Sequence, residues 1–349
     1  MPKGVMYSHR STYLHTFACY NADGIALSER DTVLPVVPMF HANAWGLAHA
    51  VVGCGANVVL PGANLTGKFL AELIEKEKVT VAAGVPTIWM GLLPELKGRD
   101  TSSLRLIPCG GSAVPKALSV AYRKQIGLSI FQAWGMTETS PVGSACMLRS
   151  TYNTKSEDEL DDIRTSCGRP VLGVDIRITS EAGQDMPWDG TSRGEIQVHG
   201  PWVASGYYKR PQSEDAFTKD GWLRTGDVGT INKDGYIRIV DRLKDVIKSG
   251  GEWISSNEVE NEIMAHPKVA EACVVAVQST KWMERPYAWV VLRKDQTMTP
   301  AELMQFLTPR LAKWWLPDGV EFVTEVPKTS VGKFDKKVVR DKLKHVKVT

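Results

Sequence analysis

Paired cysteines are missing from this chain. Its six cysteines (Cys19, Cys54, Cys109, Cys146, Cys167 and Cys273) are scattered, with no Cys-x-x-Cys and no Cys/His cluster. That spacing argues against a structural zinc site and gives a disulfide framework no support, so reduced thiols are expected. Charge of one sign is equally scarce: 42 Lys and Arg stand against 39 Asp and Glu, a net charge of +3. Such a balance does not coat a polyanion, and nucleic acid is not an expected partner. No apolar run is long enough to span a bilayer. The longest, residues 44–60, is interrupted by His49, Asn57 and three glycines and reads as core helix and strand. No leader pattern, internal repeat or low-complexity segment is visible, so the expectation is a soluble, cytoplasmic protein without a transmembrane segment.

What is present is an ordinary globular composition with a change of texture along it. At 349 residues and 43% hydrophobic, the chain can build two cores. Residues 67–78 carry Phe69, Leu70, Leu73 and Ile74 at helical spacing and run into the apolar stretch 79–83, a buried strand. Residues 115–127 open on Pro, expected at the first helical position, and close on Gly; residues 129–133 follow as a strand. This alternation predicts α/β layers over residues 1–240. From about residue 175 short strands take over. Residues 175–179 and 194–199 are strand-like, and Asn232-Lys233-Asp234-Gly235 is a hairpin turn between 227–231 and 236–240. Together they suggest a β-rich subdomain, expected to carry Arg224-Thr225-Gly226-Asp227 on an edge or loop. Residues 247–349 read as a small α+β module. A Ser255-x-x-Glu258 capping box opens a helix over 257–265, strands follow over 271–277 and 287–292, and a second helix runs from Thr299 to about Trp315.

Five segments carry the chemistry. Leu223-Arg224-Thr225-Gly226-Asp227 is followed fifteen residues on by Asp241-Arg242-Leu243-Lys244-Asp245, and Lys328-Thr329-Ser330-Val331-Gly332-Lys333 lies near the end. Upstream stand Gln132-Ala133-Trp134-Gly135-Met136-Thr137-Glu138-Thr139 and Pro38-Met39-Phe40-His41-Ala42-Asn43-Ala44-Trp45. In this order and spacing they resemble the nucleotide-handling motifs of the adenylate-forming superfamily: acyl-CoA synthetases, luciferases and peptide-synthetase adenylation domains. The likeness covers nearly the whole chain. It implies the acyl-adenylate-forming fold, with an incomplete large domain (α/β layers plus a β-rich subdomain) over residues 1–240, a hinge at 241–246 and a small α+β domain over 247–349.

The resemblance also implies roles. Asp227 would hold the ribose hydroxyls and Arg242 the ribose and phosphate region. Trp134 would stack on adenine, within the segment of Gln132, Ala133 and Gly135. Thr137 would bond phosphate, and Glu138 would hold Mg²⁺ through a hard oxygen. Gly110, Gly111 and Ser112 form a Gly-rich turn whose backbone approaches the purine. His41 would sit beside the substrate carboxylate and Trp45 would gate the acyl tunnel. Lys333 would swing over the carboxylate and α-phosphate, where charge builds during adenylation. Lys244 falls on the hinge, and Lys248, Gly250, Gly251, Glu252 and Trp253 would receive the pantetheine arm of CoA. The segments around His41 and Lys248 are close to those of medium- and long-chain fatty-acyl-CoA synthetases. The expected substrates are therefore a fatty acid, ATP and CoA with Mg²⁺; a homodimer is common among such members.

One departure matters. The chain opens on Met1-Pro2-Lys3-Gly4-Val5, similar to the tail of the family's Thr/Ser/Gly-rich phosphate loop, with Lys3 among its last residues and the loop itself absent. The expectation is a fragment: either part of a catalytic ligase, or a non-catalytic truncated remnant with at most weak nucleotide or CoA binding.

Overall fold

Strands of the first half are short, apolar and parallel. Thr32–Pro35 lies between Asn57–Val58 and Val81–Ala83, parallel to both. Parallel bridges Val81↔Leu106 and Gly84↔Cys109 lead on to Pro108–Cys109, which pairs parallel with Phe131–Gly135. Val33, Leu34, Val81 and Ala83 are fully buried, as expected when helices cover both faces of a parallel sheet. Helix Gly67–Lys76 buries Leu70, Ala71 and Ile74 on one side, the spacing seen in the sequence. Leu70 and Ile74 each contribute roughly 1.5–3 kcal/mol by leaving water. Helix Lys116–Ile126 buries Leu118 and Tyr122, whose hydroxyl donates to the Trp89 carbonyl at 2.8 Å. Pro115 stands at the N-cap of that helix, one residue before the expected position, and Gly127 closes it in the left-handed region at φ 77°.

The computed structural model describes residues 3–210, 215–328 and 334–349. Its contacts divide it into two units: Met1–Thr225 with Thr230–Ile239, and Gly226–Gly229 with Val240–Thr349. In the first unit Phe131–Gly135 turns back through Thr137–Thr139 into Val142–Ala145, its antiparallel neighbour. A four-stranded sheet has the order Ile237–Arg242, Leu223–Ile231, Gly194–His199, Asp175–Thr179. The segment Leu223–Asp227 was expected on an edge or loop. It lies instead inside a nine-residue strand with a neighbour on each side. The reason is its apolar content: Leu223, Val228 and Ile231 are all essentially buried and fix the strand in the sheet.

In the second unit a sheet runs Glu252–Ile254, Ile247–Ser249, Met283–Leu292, Val269–Ser279, Lys347–Val348, with Gly319–Phe322 parallel to Met283–Leu292. Helix Ser256–Met264 starts at Ser255, whose Oγ accepts from the Glu258 N–H and donates to the Val240 carbonyl. The second helix, Pro300–Leu307, stops well short of Trp315; Pro309 has no N–H to continue the ladder, and Lys313–Trp315 forms a separate 3₁₀ turn. All six cysteines are free thiols. Among the described residues no helix is long and apolar enough to cross a membrane.

Candidate functional site

In the first unit the polar candidates gather where strand Phe131–Gly135 ends. Glu138, half-buried, accepts a short hydrogen bond on Oε1 from the Tyr207 hydroxyl, and Lys3 Nζ lies 4.3 Å above the Tyr207 ring. Tyr7 donates its hydroxyl to the Thr137 carbonyl at 2.5 Å. Burial and the nearby Glu138 charge push the Tyr7 phenol up to about 12. Burial first, then the Glu138 hydrogen bond, raise Tyr207 as well. Both phenols are therefore fixed donors at neutral pH, and the turn 137–139 is braced from two sides. The Thr137 and Gly135 positions are exposed to solvent. One half-buried carboxylate suits Mg²⁺, which keeps several waters and takes few protein oxygens. Among the described residues no cluster of three or more His, Cys, Asp or Glu could hold a metal.

The aromatic candidates line the neighbouring strand ends. Trp134 packs against Gly143, where an added Cβ would come within 2.7 Å of the ring. Gln132 is buried and accepts from the Val114 N–H at 3.1 Å, which ties the Gly110-Gly111-Ser112 turn to the strand. A Cβ on Gly110 would meet the Ala133 carbonyl at 3.1 Å and the Trp45 ring at 3.4 Å, so Trp45 lies over that glycine. Gly111 takes φ 80°, and Ser112 is exposed. His41 is also exposed, with its ring 6.2 Å from that of Phe40.

Trp45 reaches Gly110 from an unusual backbone. Ala42, Asn43, Ala44 and Trp45 have φ of 44°, 56°, 52° and 60°, followed by Gly46 at 78°. The Trp45 N–H donates to the His41 carbonyl at 3.2 Å and the Gly46 N–H to Ala42 at 3.0 Å, which closes one left-handed turn. Ala42, Ala44 and Trp45 each cost roughly 1–2 kcal/mol in that conformation, which Asn43 tolerates better, and the strain persists only where packing imposes it. The right-handed helix Leu47–Cys54 begins directly after Gly46.

In the second unit Asp227 and Arg242 form an ion pair at 2.7 Å, with the carboxylate buried and the guanidinium half-exposed. Lys244 is exposed, while its carbonyl accepts from Arg340 at 3.2 Å, and Arg340 also pairs with Asp245. Next to this turn lies a buried polar network. Asp241 accepts from the Ser256 N–H and hydroxyl, both at 2.6 Å, and Lys336 Nζ pairs with Glu260 at 2.8 Å. Burial pushes the Glu260 carboxyl up to about 6 against the pull of Lys336. Gly250 and Gly251, at φ 59° and 90°, form the two-residue turn of the hairpin Ile247–Ser249 with Glu252–Ile254. Lys248 Nζ lies 6.0 Å from the Trp253 ring, and Glu252 is exposed. Lys333 lies outside the described residues.

Sequence reasoning missed Tyr7, Tyr207 and the Asp241–Ser256–Lys336–Glu260 network. Tyr207 and Glu138 are 69 residues apart, Tyr7 and Thr137 are 130 apart, and no local pattern marks either pair.

Comparison with known proteins places these residues in context. The sequence pattern of AMP-binding enzymes matches residues 1–208, and that of the AMP-binding enzyme C-terminal domain matches residues 258–333. A long-chain-fatty-acid–CoA ligase of Thermus thermophilus is 47% identical over 99% of this chain and 64% of its own length. A 3-methylmercaptopropionyl-CoA ligase of Ruegeria lacuscaerulensis is 44% identical, over 98% of this chain and 64% of its own. The chain thus spans about two-thirds of these relatives, a little under that share of each. The o-succinylbenzoate CoA synthetase of Bacillus subtilis, solved with its acyl-adenylate intermediate, superposes with a TM-score of 0.85 at 31% identity, over 97% of this chain and 66% of that one.

Proposed function

The chain belongs to the family of AMP-binding enzymes, and from that premise we propose that it is the greater part of an AMP-forming acyl-CoA ligase that activates a fatty acid with ATP and Mg²⁺. The observation that carries this reading is the cluster at the end of strand Phe131–Gly135, where Lys3, Tyr207, Glu138 and Thr137 bring a cation, a carboxylate and an exposed threonine turn together. In it Glu138 holds the magnesium ion, which neutralises phosphate charge when bound. Tyr207 orients the Glu138 carboxylate, Tyr7 fixes the Thr137 turn, and Trp134 presents the face on which adenine stacks.

Asp227, desolvated and held by Arg242, offers a fixed carboxylate to the ribose hydroxyls. His41 and Trp45 face the acid, Trp45 closing over Gly110. Lys333 supplies the mobile cation of the adenylating step, and the turn at Lys244 is the pivot for thioester formation by CoA, received along Lys248–Trp253. The domain division follows the same reading: nucleotide and acid on residues 1–240, the hinge at 241–246, and the CoA-facing module beyond. Cytoplasmic residence and a homodimer belong to it as well.

The relatives act on acids as different as long-chain fatty acids and 3-methylmercaptopropionate, so chain length is read by assay. Pyrophosphate release with ATP, Mg²⁺, CoA and straight-chain acids from acetate to palmitate is expected to show a chain-length optimum in the medium-to-long range. Lys333→Ala is expected to abolish pyrophosphate release while largely sparing thioester formation from supplied acyl-adenylate; equal loss of both half-reactions would remove Lys333 from this role. No acid-dependent pyrophosphate release at any chain length would contradict the ligase reading and leave the non-catalytic one.

A further inference from the structure

The left-handed turn at residues 41–46 cannot be held by its own hydrogen bonds, because the same bonds close a right-handed turn without strain. Something outside the turn selects its hand, and the contacts point to one side chain. His15, on helix His9–Tyr20, is 2% exposed and lies against Gly46, the residue at which the hand reverses. A Cβ at Gly46 would stand 2.6 Å from His15 Cε1 and 2.7 Å from Nδ1, so the imidazole fills the space a side chain would need.

The ring is itself fixed from other directions. Its Nε2 accepts from the Val142 N–H at 3.3 Å, and it meets Trp202 edge-on at 6.0 Å between centroids. Burial, with a smaller contribution from nearby His49, pushes its pKa down to about 4, which keeps the ring neutral and Nε2 free to accept. Helix His9–Tyr20 is further tied to helix Leu47–Cys54 by the Tyr20 hydroxyl, which donates to the Ala50 carbonyl at 2.9 Å. From Gly46 the chain leads directly to Trp45, whose ring lies over Gly110.

We propose that His15 is a positioning residue: by filling the space at Gly46 it fixes the left-handed turn and, through it, the seat of Trp45 at the acid-binding end of the site. The last part rests on the reading of Trp45 as a wall of the acyl pocket. His15 is buried and does not touch substrate; it sets the shape that Trp45 presents. Its effect therefore falls more on the acid than on the nucleotide.

The full chain labelled with 5-fluorotryptophan tests this, with the Trp45 fluorine resonance identified by its loss in Trp45→Phe. His15→Leu removes the ring and the acceptor, and is expected to shift or split the Trp45 resonance. His15→Gln keeps an acceptor for the Val142 N–H and is expected to leave that resonance near its original position. Gly46→Ala, which keeps His15 but forces the turn away from it, is expected to displace the resonance as well and stands in should His15→Leu not fold. In turnover, His15→Leu is expected to raise KM for the acid about tenfold with KM for ATP nearly unchanged, and His15→Gln to restore most of it. An unmoved Trp45 resonance in folded His15→Leu and Gly46→Ala proteins, or equal rises in both KM values, would overturn the proposal. Should the wild-type chain activate no acid, the ligase reading fails on its own and the resonances alone decide the role of His15.

Discussion

Two of the turns that use left-handed backbone obtain it in opposite ways. At Gly250-Gly251 the hairpin of the second unit places glycines where φ is 59° and 90°. Neither residue carries a side chain to oppose that conformation, so the backbone adopts it without strain. The Trp282 ring does pack on Gly250, where an added Cβ would stand 2.8 Å from it, and the Trp282 carbonyl accepts from the Gly250 N–H at 2.9 Å. At residues 42–45 the first unit places Ala, Asn, Ala and Trp in the same region, which the two alanines and the tryptophan disfavour and the asparagine tolerates. Gly46 is suited to its conformation, and it is pressed by a buried histidine 31 positions earlier in the chain. The first turn is chosen by local chemistry and the second by packing. Backbone strain of the second kind collects at functional sites, and this one carries Trp45 to the Gly110 turn.

The sharpest way to break the comparison is to put a methyl group into each turn. Gly46→Ala meets both an unfavourable φ and the His15 ring, and should lower the stability of the first unit by about 3 kcal/mol, measured by urea unfolding. A loss under about 1 kcal/mol would mean that the turn yields easily and is not held by packing.

Acid pH tests the packing partner itself. His15 titrates at about 4 in the folded chain against an ordinary 6.5. Above pH 6.5 the ring is neutral in both states and stability does not depend on it. Between 6.5 and 4 only the unfolded chain takes up the proton, so stability falls by up to about 3 kcal/mol and then levels off. The wild-type chain should therefore lose stability relative to His15→Gln as pH drops through that window; parallel curves for the two would contradict a buried, neutral His15.

Gly251→Ala is the smallest change. A Cβ there meets nothing within 4 Å, so only the backbone preference is lost, about 1 kcal/mol. A cost as large as that of Gly46→Ala would erase the distinction between the two turns.

The same division between local and distant causes decides what was legible in the sequence. The helix over Gly67–Lys76, the helix over Lys116–Ile126 and the hairpin at Asn232–Gly235 follow from periodicity, a helix-ending glycine and turn chemistry. The motif residues Asp227 and Arg242 are close in sequence and meet in space at 2.7 Å. Residues that work by reaching across the fold left no such trace. Tyr207 meets Glu138, Tyr7 meets Thr137 and His15 meets Val142 over separations of 69, 130 and 127 residues. An isolated tyrosine or histidine in an apolar stretch looks the same whether it packs or positions a site. The placing of Leu223–Asp227 inside a strand has both causes: the buried Leu223, Val228 and Ile231 are local, while the neighbours Gly194–His199 and Ile237–Arg242 are set by sheet order, which no single segment encodes.

Acid activation through an adenylate has one direct signature, the path of the carboxylate oxygen. The chain, incubated with ATP, Mg²⁺, CoA and a decanoate labelled with oxygen-18 in its carboxylate, should release AMP carrying one labelled oxygen for each thioester formed, because the carboxylate attacks the α-phosphate and its oxygen leaves with AMP. Unlabelled AMP, or label found in inorganic phosphate, would contradict the account.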